Sequence, residues 1–545
     1  MAGTRPAPGP LARFGAHERS IVHVLRRRVQ DMPEKPWLVF EDRSVSFREA
    51  DLLSNRLAHG LAGAGMAAGD TLLVMMPDSL EQLLTWIACA KLGVIEVPVN
   101  TAYRGDILAH LVQDSRAKAM VVSSAFLPRL CDLDGGTGDL GRCFVRRFDD
   151  ADPTAPAGIA VDPFEALMSE TDHPVGCDVD PQGLKAIMYT SGTTGRSKGV
   201  MVSHAHAFEY ANGCASVTEV NETDVYYTAG LPLFHVAGKW GVVFGGAIKG
   251  ATTVIPRQFS ASNFWADVRR HGVTATYSLG AMANFLQRQP RKPDDAENPL
   301  KKMLMCPLLP DLDDFTRRFD VKVATAYGST ESCCPIVMPL GSPVTHTQVV
   351  GKVRSDLFEV KIFDDADGEA PRGTVGQIVV RPKAPAITML GYWNQPQATI
   401  EMWRNLWLHT GDAGFEDESG NFHFTDRLKD AIRRRGENIS SMEVEGILSR
   451  HPAILECAVF PVRSAYTEEE VMATVVLKPG HTAEPEGIIR FLEPRMAHFM
   501  VPRFIDIVEA MPKTPTGKVR KHLLREAGVT ATTWDRELAG IKIAR

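Results

Sequence analysis

The stretch "GDTLLVMMPDSLEQLLTWIACAKLGVIEVPVN" narrows the folds open to this chain more than any other. A short apolar run, Leu72 to Met76, stops at Pro77. Asp78, with Glu81 three residues later, is a capping-box signature for the start of a helix. Leu83, Leu84, Ile87 and Ala88 then fall at helical spacing until Gly93, after which "VIEVPV" resumes as a strand. This is a β-α-β unit, and the same alternation returns in "FWADVRRHGVTATYSL", Phe264 to Leu279. Repeated units of this kind imply an α/β chain whose mainly parallel sheets are covered by helices on both faces.

At 545 residues the chain is too long for one hydrophobic core and divides into domains. After Val350 the texture changes. "FEVKIFDDADGEAPRGTVGQIVVR" alternates strands with Gly and Pro turns, as a small β-barrel-like section would, and "GFEDESGNFHFTDR" reads as a hairpin. Past Arg427 the order is helix ("SSMEVEGILSRH"), strand ("ILECAVFPV"), strand ("VMATVVLKP"), helix and a basic end, which makes one small α+β domain.

Several classes are excluded early. The net charge of −6 (66 acidic against 60 basic residues) gives no global field for nucleic acid. Nine cysteines without a C-x-x-C pair argue for a reducing compartment and against a zinc site. The most apolar long stretch, 17 residues from Leu83, contains Lys91 and Glu96 and is short for a membrane span. The N-terminus lacks the apolar segment of a secretory signal, so the expected location is cytoplasmic.

"YTSGTTGRSKGV", Tyr189 to Val200, is a loop built for an anion. Its glycines let backbone N–H groups approach oxygens, its hydroxyls add donors, and Lys198 adds mobile positive charge. It is not a Walker A loop, because Ser197 precedes the lysine and Gly199 follows it. Five further stretches follow in order: "LPLFH" (Leu231–His235), "AYGSTE" (Ala326–Glu331), "WLHTGD" (Trp407–Asp412), "DRLKDAIRRRGENIS" (Asp426–Ser440) and "PKTPTGK" (Pro512–Lys518). Together they resemble the adenylate-forming superfamily of acyl-CoA synthetases, luciferases and peptide-synthetase adenylation domains. "RRRGENISSMEVE" is most similar to the carnitine or crotonobetaine CoA ligase-like and fatty-acid CoA ligase branches.

The resemblance implies a two-step ligase that uses ATP, Mg²⁺ and CoA. A carboxylic acid becomes acyl-AMP, and CoA then displaces AMP. It also implies an N-terminal adenylation domain over 1–426, a hinge over 427–431 centred on Lys429, and a mobile C-terminal domain over 432–545. Thr190, Ser191, Thr193, Thr194 and Lys198 would hold the β- and γ-phosphates, with Gly192 and Gly195 supplying backbone N–H groups. Glu331 would bind Mg²⁺, since a hard cation on phosphates takes one or two carboxylates. Tyr327 would meet adenine, Thr330 the α-phosphate, Asp412 the ribose hydroxyls, and Arg427 the ribose and phosphate; Gly328 would lie on the nucleotide side, next to the acyl pocket.

Lys518 would neutralise charge as the carboxylate meets the α-phosphate. For His235 a direct role and an ordinary structural role stand equal; His204, His206, His409 and His423 read as structural. Cys333 and Cys334 read as pocket wall. Gly436 would leave room for the pantetheine arm, with Arg433, Arg434 and Arg435 beside it for CoA phosphates. Val236, Ala237, Trp240, Gly280, Ala281 and Ala326 are the candidate acyl pocket; mostly small, they favour a bulky or extended apolar acid. "LMCPLLP" stands where relatives carry a Gly-rich loop against adenine, so Met305, Cys306 and Pro307 put the adenine contact in question. Two rivals stay open: an enzyme that loads a carrier protein, and a nucleotide-binding relative that has lost adenylation. Two further partners also stay open: a second copy of the chain, and a lysine acetyltransferase acting on Lys518.

Overall fold

The computed structural model describes residues 14–543, apart from 132, 134, 149–153, 177, 191–196, 345, 429–431, 435–436, 464–468, 497 and 515–516. It contains two compact units, one of 1–359 with 380–408 and one of 360–379 with 409–545.

The β-α-β unit read from the sequence is present as strand Thr71–Met75, helix Leu80–Leu92 and strand Ile95–Pro98. The two strands pair in parallel, Leu73 opposite Val97. Gly93 ends the helix at φ 77°, in the left-handed region that glycine enters without a Cβ clash. The helix start differs by one residue from the expectation. Ser79, not Asp78, is the cap, and its hydroxyl accepts the Gln82 N–H at 3.3 Å. Asp78 is held elsewhere: its carboxylate accepts the Leu233 N–H at 2.9 Å. Ser79→Ala should therefore cost about 1 kcal/mol of stability, read as a lowered urea midpoint with unchanged slope.

One sheet of the first unit has the order Gly391–Tyr392, Lys198–Ser203, Leu184–Thr190, Ile95–Pro98, Thr71–Met75, Ala119–Ser123, Arg142–Arg146, Ala160–Pro163. Its central strands are apolar on both faces. Leu73, Met75 and Val122 enter one core, and Leu72, Val74 and Val121 enter the other. Continuous rather than alternating burial is what helices on both faces require.

In the other sheet of this unit, Ala275–Leu279, Lys302–Cys306 and Lys322–Ser329 run parallel, following the helix Phe264–His271 and Gly272 as expected. Their carboxyl ends deliver Gly280, Pro307 and Tyr327 to one edge, the side on which open α/β sheets bind ligands. A Cβ on Gly328 would lie 2.0 Å from the Cys333 carbonyl oxygen, so the hairpin after Tyr327 accepts only glycine there.

The second unit holds the expected hairpin, 412–416 of the strand Leu408–Glu416 pairing with Phe422–Arg427. Beyond it lie a sheet in the order Ile454–Arg463, Glu469–Leu477, Phe504–Ile507, Trp534–Asp535 and the helices Ser441–Leu448 and Pro485–Leu492. The arginine run reads differently at Arg434. That side chain is buried, ion-paired to Glu470 at 2.7 Å and donating to the carbonyls of Phe499 and Val501. It anchors the hairpin Ile432–Arg434/Glu437–Ile439 and is not presented to CoA. Among the described residues no helix is long and apolar enough to cross a membrane.

Candidate functional site

The anion loop joins two antiparallel strands, with Thr190 directly opposite Lys198. Its base is fixed from the helix Gly105–Asp114: the Tyr189 hydroxyl donates to Asp114 Oδ2 at 2.6 Å, and His110 Nε2 lies 3.0 Å from the Ser197 carbonyl oxygen. Ser191, Gly192, Thr193, Thr194 and Gly195 lie outside the described residues.

The short strand Gly391–Tyr392 pairs with Met201 and Val200 just past the loop. This places a residue that sequence reasoning missed. The Tyr392 ring lies 4.9 Å from Lys198 Nζ, and its hydroxyl donates to Glu331 Oε1 at 3.2 Å. A cation over a ring face is attracted by the ring quadrupole, so the same side chain steadies both the lysine and the carboxylate. The Glu331 backbone is held as well, its carbonyl accepting the Met389 N–H at 2.9 Å. Lys198, Tyr392 and Glu331 thus form one cluster of opposite charges around a phenol. No sequence spacing announces Tyr392, which meets Glu331 across 61 residues.

Tyr327 is buried, while Gly328 is exposed and Thr330 half-buried. Cys306 donates from Sγ to the Ala326 carbonyl at 3.3 Å, and a Cβ on Gly280 would meet the Pro307 carbonyl at 2.7 Å. The unusual Met305–Pro307 segment is therefore packed directly against the strand end that carries Tyr327. Cys333 and Cys334 are buried, and burial raises the Cys333 thiol pKa.

His235 closes the Leu231–His235 turn, and its Nδ1 accepts the Ala237 N–H at 3.2 Å. Val236, Ala237 and Trp240 follow, all buried, on a helix whose Ala237–Phe244 segment is wound as a π-helix. Widened turns of this kind concentrate at functional sites. Trp240 packs edge-on to Tyr210 at 6.3 Å; Gly280 is buried and Ala281 exposed. Asp78 faces this turn through Leu233. Burial pushes its carboxyl up to about 7, against the opposing pull of the Leu233 N–H and Lys239.

The second unit gathers three of the predicted residues. Asp412 and Arg427 are cross-strand partners, Arg427 Nε lying 2.8 Å from Asp412 Oδ1. Lys518 sits in a tight turn, where the Thr514 N–H donates to the Lys518 carbonyl at 2.6 Å and Gly517 adopts φ 81°. Desolvation lowers its ammonium pKa and Arg427 lowers it further, while Asp412 opposes both. The residue keeps an exposed surface, so solvent moderates the shift. Lys429, Arg435 and Gly436 lie outside the described residues.

The chain belongs to the AMP-binding enzyme family: 25–393 match that family and 443–518 match the AMP-binding enzyme C-terminal domain. Among particular proteins, it is 30% identical over 504 residues to the crotonobetaine/carnitine–CoA ligase of Salmonella agona (strain SL483), covering 90% of this chain and 96% of that one. It shares its fold with ATP-bound MatB from Rhodopseudomonas palustris, at TM-score 0.81 and 24% identity over 92% and 98% of the two chains. It is also similar to o-succinylbenzoate CoA synthetase (MenE) from Bacillus subtilis in complex with the acyl-adenylate intermediate OSB-AMP. There the TM-score is 0.78 and the identity 26%, over 93% of this chain and 99% of that one.

Proposed function

We propose that this chain is an ATP-dependent, AMP-forming acyl-CoA ligase. The observation that carries the reading is the Lys198–Tyr392–Glu331 cluster beside the anion loop, which pairs a cation for phosphate with a steadied carboxylate. In the first step a carboxylate oxygen attacks the α-phosphorus, the α–β phosphoanhydride bond breaks, and pyrophosphate leaves. In the second step the CoA thiol sulfur attacks the acyl carbonyl, the carbonyl–oxygen bond to AMP breaks, and the thiol proton passes to solvent. A free carboxylate is a poor acyl donor, and AMP is the better leaving group.

On this reading Thr190, Ser191, Gly192, Thr193, Thr194, Gly195 and Lys198 hold the leaving phosphates. Tyr327 takes adenine, with Gly328 beside it on the nucleotide side, Thr330 the α-phosphate, and Asp412 with Arg427 the ribose. Lys518 and His235 serve the reacting carboxylate. Among the described residues no group of three or more His, Cys, Asp or Glu could hold a metal alone. A single carboxylate at Glu331 fits Mg²⁺, which is usually held by one or two carboxylates and the substrate's phosphates. When bound, Mg²⁺ would neutralise the phosphate oxygens.

Domain alternation about Lys429, with Gly436 and Arg435 serving CoA, belongs to the same proposal, as do 1–426 and 432–545 as the moving parts. So do a reducing, cytoplasmic setting, a second copy of the chain, and a lysine acetyltransferase acting on Lys518. The acyl pocket of Val236, Ala237, Trp240, Gly280, Ala281 and Ala326 is read as taking a bulky or extended apolar acid.

Pyrophosphate release across a panel of acids, with and without CoA, tests the function. Acid-dependent release with thioester formation is expected. Release without thioester would favour the carrier-protein reading, and thioester from supplied acyl-AMP without release would mean that adenylation has been lost. Tyr392→Phe, which keeps the ring but removes the donor to Glu331, should lower turnover by about 1 kcal/mol, roughly fivefold, at limiting Mg²⁺. Unchanged turnover there would remove the phenol from the site.

A further inference from the structure

The turn that carries His235 is held from the β-α-β unit of the neighbouring sheet. Asp78, in the turn between Thr71–Met75 and Leu80–Leu92, is freed by Ser79 from capping its own helix. It accepts the Leu233 N–H at 2.9 Å across 155 residues, with both groups buried. The end of the same unit supplies a second hold: Glu96, on Ile95–Pro98, is ion-paired with Lys239 of the π-helix. Lys239 and Glu96 are each about 1% exposed. Lys185 of the anion-loop strand stands 3.9 Å from the other Glu96 oxygen.

The turn and the π-helix are joined by the main chain's own hydrogen bonds and close packing. The Lys239 N–H donates to the His235 carbonyl at 3.2 Å, and a Cβ on Gly238 would lie 2.4 Å from the Leu231 carbonyl oxygen. Within the turn the His235 N–H returns to the Pro232 carbonyl at 3.0 Å. The Leu233 N–H points outward to Asp78 and has no partner within the turn. A buried N–H without a partner forfeits its hydration with nothing in return, so this bond decides whether the turn keeps its shape.

We propose that Asp78 is a positioning residue for the acid-binding side of the active site, holding the Leu231–His235 turn through the Leu233 N–H. Glu96 backs it by holding the adjoining π-helix through Lys239. The inference rests on the ligase reading, because it assigns the turn's position to the first half-reaction. Asp78 touches no reactant and acts through the main chain of the turn. The charged groups facing it are Lys239 and, behind that lysine, Glu96 and Lys185. Its carboxyl is raised towards neutrality by burial, as befits an acceptor whose oxygen matters more than its charge.

The test compares wild type, Asp78→Ala and Asp78→Asn in two measurements. One is acid-dependent pyrophosphate release, resolved into kcat and the KM for ATP. The other is amide hydrogen exchange in peptides spanning 228–240, which needs no turnover. Asp78→Ala should lower kcat roughly tenfold to hundredfold, leave the KM for ATP within about twofold, and speed exchange in the turn. Asp78→Asn keeps an acceptor oxygen and should restore both kcat, to within about threefold, and protection. A site of merely structural importance would lose melting temperature in both variants without this split.

Wild-type kcat in Asp78→Ala, unchanged exchange, or Asp78→Asn as damaged as Asp78→Ala would each overturn the inference. If Asp78→Ala does not fold, Asp78→Glu, which keeps the charge but displaces the acceptor by one methylene, takes its place with the same expected losses. Wild type releasing no pyrophosphate with any acid would sink the ligase reading, while the exchange arm would still judge the hold on the turn.

Discussion

Lys518→Ala is expected to raise the barrier to acyl-AMP formation by about 2–4 kcal/mol, roughly 30- to 1000-fold, while thioester formation from supplied acyl-AMP and CoA persists. The turn around Lys518 is built to present one side chain. The Thr514 hydroxyl accepts the Lys518 N–H at 3.0 Å, the Gly517 N–H returns to the Thr514 carbonyl, and a bridge from Lys513 to Val519 closes the loop. Its charge environment is prepared too. Desolvation and then the Arg427 guanidinium lower the ammonium pKa, with Asp412 holding it up. The alkaline limb of adenylation should therefore fall below the pH at which an ordinary lysine loses its proton. Lys518→Arg, whose guanidinium does not deprotonate, should move that limb upward in whatever activity it keeps. Equal damage to both half-reactions in a folded Lys518→Ala protein would sink the division of labour between them.

The sequence made the β-α-β units legible because their strands are apolar on both faces and their helices are bounded by a polar cap and a glycine. The cap itself came out one residue early. Asp78 and Ser79 are both good caps by type, and what separates them is a tertiary partner, the Leu233 N–H, that no local pattern contains. The π-helix at Ala237–Phe244 was illegible for a related reason: every residue in it is buried, so no polar face marks its period.

Glu331, Lys198, Asp412, Arg427 and Lys518 stood out through their motifs. Tyr392 did not, because a two-residue strand paired with Val200 brings it to Glu331 and no spacing encodes that pairing. Arg434 misled in the opposite direction. A run of three arginines looks like one solvated, anion-seeking surface, yet the middle one is spent on Glu470 and two carbonyls in the core of its unit. In both cases the long-range partner, and not the residue type, decided the role.

Glu331→Gln should cost about 2–3 kcal/mol of turnover, roughly 30- to 150-fold, with the deficit largest when Mg²⁺ is limiting. The substitution suits the test because the amide oxygen can still accept from the Tyr392 hydroxyl, so the cluster keeps its shape while losing its negative charge. The surrounding turn does not depend on that charge. The Ser329 N–H donates to Ser332 Oγ at 3.0 Å, and the Glu331 and Ser332 N–H groups donate to Ser329 Oγ at 3.2 and 3.1 Å. An unchanged melting temperature is therefore expected beside the kinetic loss, which separates a lost ligand from a lost fold. Lys198 stays over the Tyr392 ring in the variant, so phosphate attraction from that side is retained, and raising Mg²⁺ should recover part of the rate. If instead the variant matches wild type at limiting Mg²⁺, the carboxylate serves only to steady Tyr392, and another group must meet the cation that arrives with ATP.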